Sequence, residues 1–418
     1  MGARKRYWIY LLLFTLSAIN YIDRIALSVA SKPIAEEFGL SPIAMGYLFS
    51  SFLWAYLLCL LPAGMIVDRW GARITNAGSI TIWSIATVLT GAATNFTTLI
   101  ITRLAMGAGE SSTFPAGVRS IREWVPVRER GFATTIFNSG AYAGPAFGAL
   151  LLGWTTGLVG WRGSFMIAGI IGFVWLAAWL IWYRDPKEAS WLSESERAEI
   201  LAERDLDEAS SDTKAGASGF GILLRSKTIW GLALTQACAV YTQYLFLTWL
   251  PNYLQTTRDL SLLKTGFYTA LPYGLAVIFG IILGRISDAL LDAKGARSGR
   301  RRTMVVVMML CSSVILLAPY VSSIWAIIAL VTISLTGIST AVSLNFALVN
   351  DLLRRPQDAG KATSIMAVGG NVFGLLAPIV TGYVIAWSGS YNWAFGLAGI
   401  FLVMGAFASL TLTRQPIA

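Results

Sequence analysis

The string Gly64-Met65-Ile66-Val67-Asp68-Arg69-Trp70-Gly71-Ala72-Arg73 closes one long apolar run, and Gly284-Arg285-Ile286-Ser287-Asp288 closes another far down the chain. Each ends the second apolar run of its half, and each leads into a basic loop. The same punctuation at matching positions reads as an internal repeat. Repeated sets of membrane-crossing segments mark transporter folds, whose substrate sites lie near the bilayer midplane where the repeats meet.

The surrounding composition agrees. Apolar residues make up 56% of the 418 residues and charged residues 13%, about half the ~25% of a soluble domain. A soluble fold has no interior large enough for that much apolar side chain, so lipid is the expected solvent. The chain has no histidine, which removes the usual neutral-pH proton shuttle and metal ligand. Its three cysteines, Cys59, Cys238 and Cys311, stand singly in apolar runs, so neither a disulfide framework nor a zinc site is expected. No metal, cofactor, nucleotide fingerprint or catalytic nucleophile is read from the sequence, and an enzyme is not expected.

A crossing helix needs about 20 apolar residues. Such stretches fall near 8–30, 44–67, 74–94, 97–121, 131–155 and 163–183, then near 228–250, 264–289, 303–321, 324–350, 360–386 and 391–412. The first run, after Arg4, Lys5 and Arg6, is too long for a signal-peptide core and is read as a retained span. The expected fold is therefore all-α and membrane-embedded: twelve helices in two six-helix bundles, residues 1–184 and 227–418. The segment 185–226 is the cytoplasmic linker. Within it, Ser193-Glu194-Ser195-Glu196 is a capping-box pattern opening an acidic amphipathic helix to about Glu208, expected as a solvated brace between the halves.

Net charge is +10. Its distribution reads as topology and not as a nucleic-acid surface. Alternate loops are arginine-rich: Arg69 and Arg73; Arg119, Arg122, Arg128 and Arg130; Lys294, Arg297 and Arg300 to Arg302; Arg354, Arg355 and Lys361; Arg414. The loops between hold only Lys32, Arg162, Arg258 and Lys264. By the positive-inside rule both termini are cytoplasmic. A monomer in the bacterial inner membrane, bathed in lipid, is expected.

The Gly64-to-Arg73 string resembles the loop motif of the major facilitator superfamily. Within that superfamily, Asn20-Tyr21-Ile22-Asp23-Arg24, Arg103-Leu104-Ala105-Met106-Gly107 with Gly109-Glu110, and Thr248-Trp249-Leu250-Pro251-Asn252 are similar to strings of the anion:cation symporter family. The resemblance implies proton-coupled uptake of an organic anion, in bacteria often a sugar acid such as a hexuronate or aldonate. It also implies that Gly64, Asp68, Arg69, Gly71, Arg73 and Asp288 form a conformational latch, that Arg24 binds the substrate carboxylate, and that Glu110 pairs with Arg103.

The residues carry an argument of their own. Asp23, Arg24, Arg103 and Glu110 lie well inside apolar runs, where a mid-helix Arg or Asp costs roughly 2.5–3.5 kcal/mol on insertion scales. Arg103 and Glu110 are two turns apart on one helical face, about 10 Å along the axis. Asp23 and Arg24 point about 100° apart, so one is expected to face a cavity and the other the fourth span. The arginine fork suits an oxyanion, and Asp23 and Glu110 are left as proton carriers. The competing reading is a set of static ion pairs that fix helix packing.

Tyr21, Tyr56 and Asn371 match cavity positions of sugar-acid relatives. Trp249, Tyr244 and Gln243 are further lining candidates, with aromatic-girdle positions as the alternative. Asn345 and Asn350 read as helix-to-helix hydrogen bonds. Gly140-Ala141-Tyr142-Ala143-Gly144-Pro145-Ala146-Phe147-Gly148 reads as close helix packing, although a Gly-Pro string here also resembles one linked to antiporters. Leu60 and Ala141 stand where sugar-acid members often carry polar groups. That departure disfavours a heavily hydroxylated substrate and admits a smaller or aromatic carboxylate. Exchange or uniport of such an anion is the second reading, and a transporter-like ligand sensor the third.

Overall fold

The computed structural model describes residues 5–211, 220–290, 299–355 and 358–417. Side chains are described except at 205–211, 220 and 288–290. The side chain of Asp288, and with it Arg4, Lys294, Arg297 and the linker stretch 212–219, lies outside the described residues.

Helices dominate, and the one β feature among the described residues is an isolated bridge between Leu353 and Ile417. In chain order they are α1 (Tyr7–Val29), α2 (Ser31–Phe38), α3 (Pro42–Gly91), α4 (Phe96–Glu110), α5 (Thr113–Trp124), α6 (Arg130–Trp182) and α7 (Glu194–Ser211). Then come α8 (Phe220–Leu224), α9 (Lys227–Thr256), α10 (Leu262–Leu290), α11 (Arg300–Ser312), α12 (Ile324–Leu352), α13 (Ala359–Ser388) and α14 (Asn392–Leu412). Among the described residues eight helical stretches are long and apolar enough to cross a membrane. Leu61 is 80% exposed and Trp387 87%; side chains of this size face outward along spans when lipid, and not water, surrounds them.

Two helices exceed what one crossing requires. The 50 residues of α3 break at Gly71, whose φ is 78°, and the 53 residues of α6 break at Gly160, whose φ is 72°. A left-handed backbone angle is cheap only for glycine. Gly71 of the loop motif is thus a bend between two apolar stretches. The span expected over 97–121 is interrupted directly after Glu110. There the Ser111 hydroxyl donates to Ala108 O at 2.7 Å, taking up a carbonyl near the helix end, and the Ser112 hydroxyl pairs with Ser79.

The chain resolves into two compact units, residues 1–33 with 51–215 and residues 34–50 with 216–418. In the first, α1 packs along α6. The linker helix α7 is opened by Ser193, whose hydroxyl accepts the Glu196 N–H at 3.3 Å. Ion pairs tie α7 to this unit. Arg6, fully buried, binds Glu129 at 2.7 Å and Glu199 at 2.8 Å; Arg128 also pairs with Glu199, and Arg204 reaches Asp185 at 3.1 Å. The rings of Trp124 and Trp191 stack with centroids 5.3 Å apart. The expected solvated brace is therefore a docked helix, because Glu199 on it meets Arg6 from the N-terminal segment and Arg128 from the turn before α6.

In the second unit α9 packs along α13 and α14. The opening turns of α3 belong to this unit. Ser50 donates to Leu375 O at 2.7 Å, Tyr47 meets Tyr383 hydroxyl to hydroxyl at 3.3 Å, and the rings of Phe49 and Trp249 stand edge to face at 5.1 Å.

Candidate functional site

The four intramembrane charges come together in the first unit, and small residues bring them there. Gly140, Gly144 and Gly148 of α6 recur every four residues, on one helical face. A Cβ on Gly144 would stand 2.4 Å from Ala18 O and 2.7 Å from the Tyr21 Cβ. The absence of a side chain lets α1 lie against α6 with Tyr21, Asp23 and Arg24 held in register. Close helix packing, the bland reading of the Gly-Pro string, is what the geometry contains. A Cβ on Gly107 would stand 2.1 Å from Phe52 O, so α4 approaches α3 equally closely. That contact sets Arg103 and Glu110 beside Phe52 and Tyr56.

Arg24 is the centre of the cluster. Its Nε donates to Glu110 Oε2 at 2.9 Å, with both side chains almost fully buried. Its guanidinium carbon lies 4.6 Å from the Tyr21 ring centroid, 4.5 Å from Phe52 and 5.1 Å from Tyr56. Cation–π contacts of this kind are worth ~2 kcal/mol or more when desolvated. They compensate part of the cost of a buried guanidinium.

The expected Glu110–Arg103 ion pair is not the one formed. Glu110 takes Arg24, across helices, while Arg103 turns its Nη1 to the Met106 sulfur at 3.0 Å and lies 5.5 Å from the Phe52 centroid. Seven-residue spacing puts Arg103 and Glu110 on one face, but two turns is too long a reach when a second arginine arrives from α1.

Asp23 is fully buried and neither carboxyl oxygen has a hydrogen-bond partner among the described residues. It lies within electrostatic reach of Glu110 and Arg103. Asn20, three and four residues before Asp23 and Arg24, is also fully buried, with both amide atoms unpartnered. The Arg103 Nε is unpartnered too. Buried polar atoms without partners are expensive and rare in finished structures. Here three such groups gather around the Arg24–Glu110 pair.

The other candidates divide. Tyr21 and Tyr56 join the cluster. Trp249 is 2% exposed and donates to Pro378 O at 3.2 Å, which makes it a packing residue of the second unit. Tyr244 lies in van der Waals contact with α13 at Gly374, and Asn371 donates back to Ala367 O at 2.9 Å on its own helix. Gln243 is half-buried. Asn345, read as a helix-to-helix bond, donates to Leu232 O at 3.0 Å and to Gln236 Oε1 at 3.2 Å. Phe52 escapes a reading of the sequence, since an apolar residue in an apolar span carries no mark. The one signal is its spacing of four from Tyr56, which places both rings on one face.

At the loop motif, Arg119 rather than Asp68 makes the contacts. Arg119 donates to the carbonyls of Val67 and Asp68, the latter at 2.9 Å, and pairs with Glu123 at 2.7 Å. Asp68, exposed, lines a polar cavity of about 340 Å³ with Arg119, Arg122, Glu123 and Arg204. Arg73 donates to Leu180 O at 2.9 Å. Gly64 has open space around it, and Arg69 is exposed.

The sequence model of the Major Facilitator Superfamily matches residues 13–355 and, in a second match, 290–417. Among curated relatives, a probable galactarate/D-glucarate transporter GudP of Escherichia coli K12 is 33% identical over 97% of this chain and 93% of its own length. A D-galactonate transporter of Escherichia coli O6:H1 is 34% identical over 91% of this chain and 89% of its own length. A probable sulfoacetate transporter SauU of Cupriavidus necator is 31% identical, covering 94% and 90%. Among solved structures, a bacterial homolog of the human lysosomal transporter Spinster, inward-facing and occupied, superposes with a TM-score of 0.77 at 18% identity. That superposition covers 99% of this chain and 98% of the other. The Spinster homolog speaks for the fold, and the curated relatives speak for the family. The chain belongs to the Major Facilitator Superfamily, as an integral multi-pass membrane transporter and not an enzyme.

Proposed function

We propose that this protein is a proton-coupled symporter that takes up an organic anion by alternating access, in the inner membrane of a bacterium. On this reading the chain crosses the membrane twelve times with both termini cytoplasmic, and the bundles 1–184 and 227–418 are joined by the linker 185–226. Protein monomer, substrate anion and proton are its working parts. The observation that carries the reading is the Arg24–Glu110 pair inside its ring of Tyr21, Phe52 and Tyr56.

The pair offers a physical basis for coupling. A proton on Glu110 cancels the charge that holds Arg24, and the guanidinium then presents its fork to a substrate carboxylate. Release of the anion returns Arg24 to Glu110 and expels the proton. Asp23, buried beside Arg103 and Glu110, takes part as the second carrier, and Arg103 supplies the second cation. Asp68, Arg69 and Arg73, with Gly64, Gly71 and Asp288, form the latch that opens and closes at the helix ends.

The curated relatives favour a sugar acid such as galactarate, glucarate or galactonate as substrate. Leu60 and Ala141 favour fewer hydroxyls, in keeping with the relative named for sulfoacetate, and the Gly144-Pro145 string supports the second reading, exchange or uniport of a small or aromatic carboxylate. Uptake into proteoliposomes with and without an imposed pH gradient separates them, using galactonate, glucarate and sulfoacetate in turn. Symport requires accumulation of one anion driven by the gradient, with Asp23→Asn and Glu110→Gln each losing that drive. Unchanged gradient-driven accumulation in both variants would remove the assignment of the proton carriers.

A further inference from the structure

A cavity of about 570 Å³ opens within the second unit, where α10, α11 and α12 meet. Its walls are apolar: Leu283 and Ile286 from α10, Met304 and Val307 from α11, and Leu344 from α12. Arg300, the first residue of α11, lies in the lining with its side chain exposed. All three helices contribute stretches long and apolar enough to cross a membrane. Ile286 and Val307 are 48% and 45% exposed, so the groove opens outward toward lipid.

The chemistry of the lining narrows the occupant. Its hydroxyls are engaged within the chain: Ser287 with the Met304 sulfur at 3.4 Å, Thr303 with Gly299 O at 3.3 Å, and Thr340 with Thr336 O at 2.9 Å. A polyol or sugar acid would meet apolar wall and committed hydroxyls. From Arg300 to Val307 the helix rises about 10 Å, which gives a cationic mouth and a hydrocarbon wall below it. Arg300 also begins the run Arg300-Arg301-Arg302, of which Arg301 pairs with Asp351, and in sequence the stretch 284–302 holds six arginines and lysines against two aspartates. Basic residues at a membrane surface attract anionic headgroups by ~1 kcal/mol each.

We propose that this groove is a binding site for an anionic phospholipid, with one acyl chain against Ile286, Met304 and Val307 and the phosphate at Arg300. A lipid seated there holds α10, α11 and α12 together at the end where the Gly284-to-Asp288 string stops.

The test uses the full chain purified in detergent and titrated separately with phosphatidylglycerol, phosphatidylcholine and inorganic phosphate. Thermal midpoint and retained lipid, read by native mass spectrometry, are followed together. Phosphatidylglycerol should raise the midpoint and stay bound, while phosphatidylcholine and free phosphate should do neither. Arg300→Gln should weaken the phosphatidylglycerol response about fivefold, which is the ~1 kcal/mol of one arginine. Val307→Trp fills the groove from an exposed position and leaves the arginines intact. It should abolish the retained adduct. Equal responses to the two lipids, a response to phosphate alone, or a full response in Val307→Trp would each overturn the proposal.

Discussion

The two units bury polarity in different forms. In the first, Asp23, Arg24, Arg103 and Glu110 are buried together in mid-span, and the one ion pair among them is wrapped in aromatic rings. In the second, the buried polar groups of the described spans are neutral: Gln236, Tyr241, Thr242, Asn345 and Thr381. Among its described residues the one fully buried carboxylate, Asp358, is the N-cap of α13 and not a mid-span group. Charge in a low-dielectric interior responds strongly to a proton or an anion, whereas amides and hydroxyls do not change charge at all. On the proposed reading, charge recognition and proton coupling belong to the first unit, and shape and hydrogen bonding to the second.

The largest expected effect breaks the first unit. Removing one partner of a buried pair leaves the other uncompensated, at ~3–5 kcal/mol. Arg24→Ala should lower anion uptake by at least about a hundredfold in proteoliposomes. Arg24→Lys should fail to restore it, because an ammonium lacks the planar fork that meets Glu110 while lying across three rings. Full activity in Arg24→Lys would show that only the charge matters.

Next in size is the packing that presents Arg24. Gly144→Leu forces a branched side chain into Ala18 and Tyr21, and overpacking of this kind costs ~1–3 kcal/mol. The thermal midpoint should fall and uptake should fall with it, since α1 cannot keep its register. Gly157, whose Cβ position is open, is the control. Gly157→Ala should leave both readings near wild type.

A smaller effect is expected in the second unit. Asn345→Leu removes the bonds to Gln236 and Leu232 O and should cost ~1–2 kcal/mol of stability. Its pH profile of uptake should keep the wild-type shape, because no titrating group is touched. A shifted profile would mean that proton coupling extends into the neutral unit.

Much of this contrast was legible beforehand, for a physical reason. Asp23, Arg24, Arg103 and Glu110 stand out because lipid makes mid-span charge costly. Gly71 is visible in the sequence as part of the loop motif, but its left-handed bend between apolar stretches shows only in three dimensions. What the sequence hides is reach across helices. Helical spacing assigns Arg103 and Glu110 to one face but is silent on how far Arg24 extends from α1, so the partner of Glu110 could only be seen in three dimensions. Phe52 is hidden for the opposite reason, as an apolar residue among many. Trp249 and Asn371 looked like lining residues, yet each spends its donor on a nearby carbonyl. The linker helix was legible as a helix from its cap at Ser193, but its docking depended on Arg6, nearly two hundred residues earlier.

That docking gives the smallest expected effect. Arg128 shares Glu199 with Arg6, but its side chain is 59% exposed whereas Arg6 is fully enclosed. Solvent and salt screen an exposed pair to ~0.2–1 kcal/mol, and the enclosed arginine holds both Glu129 and Glu199 without it. Arg128→Gln should therefore move the thermal midpoint only slightly, and less still at high salt. Arg6→Gln should lower it more, because Glu129 and Glu199 then face each other with the intervening cation gone. Measured across a salt series, the two variants separate the enclosed contact from the exposed one. If they respond alike, α7 is held by its stacked tryptophans and backbone contacts, and the ion pairs only decorate it.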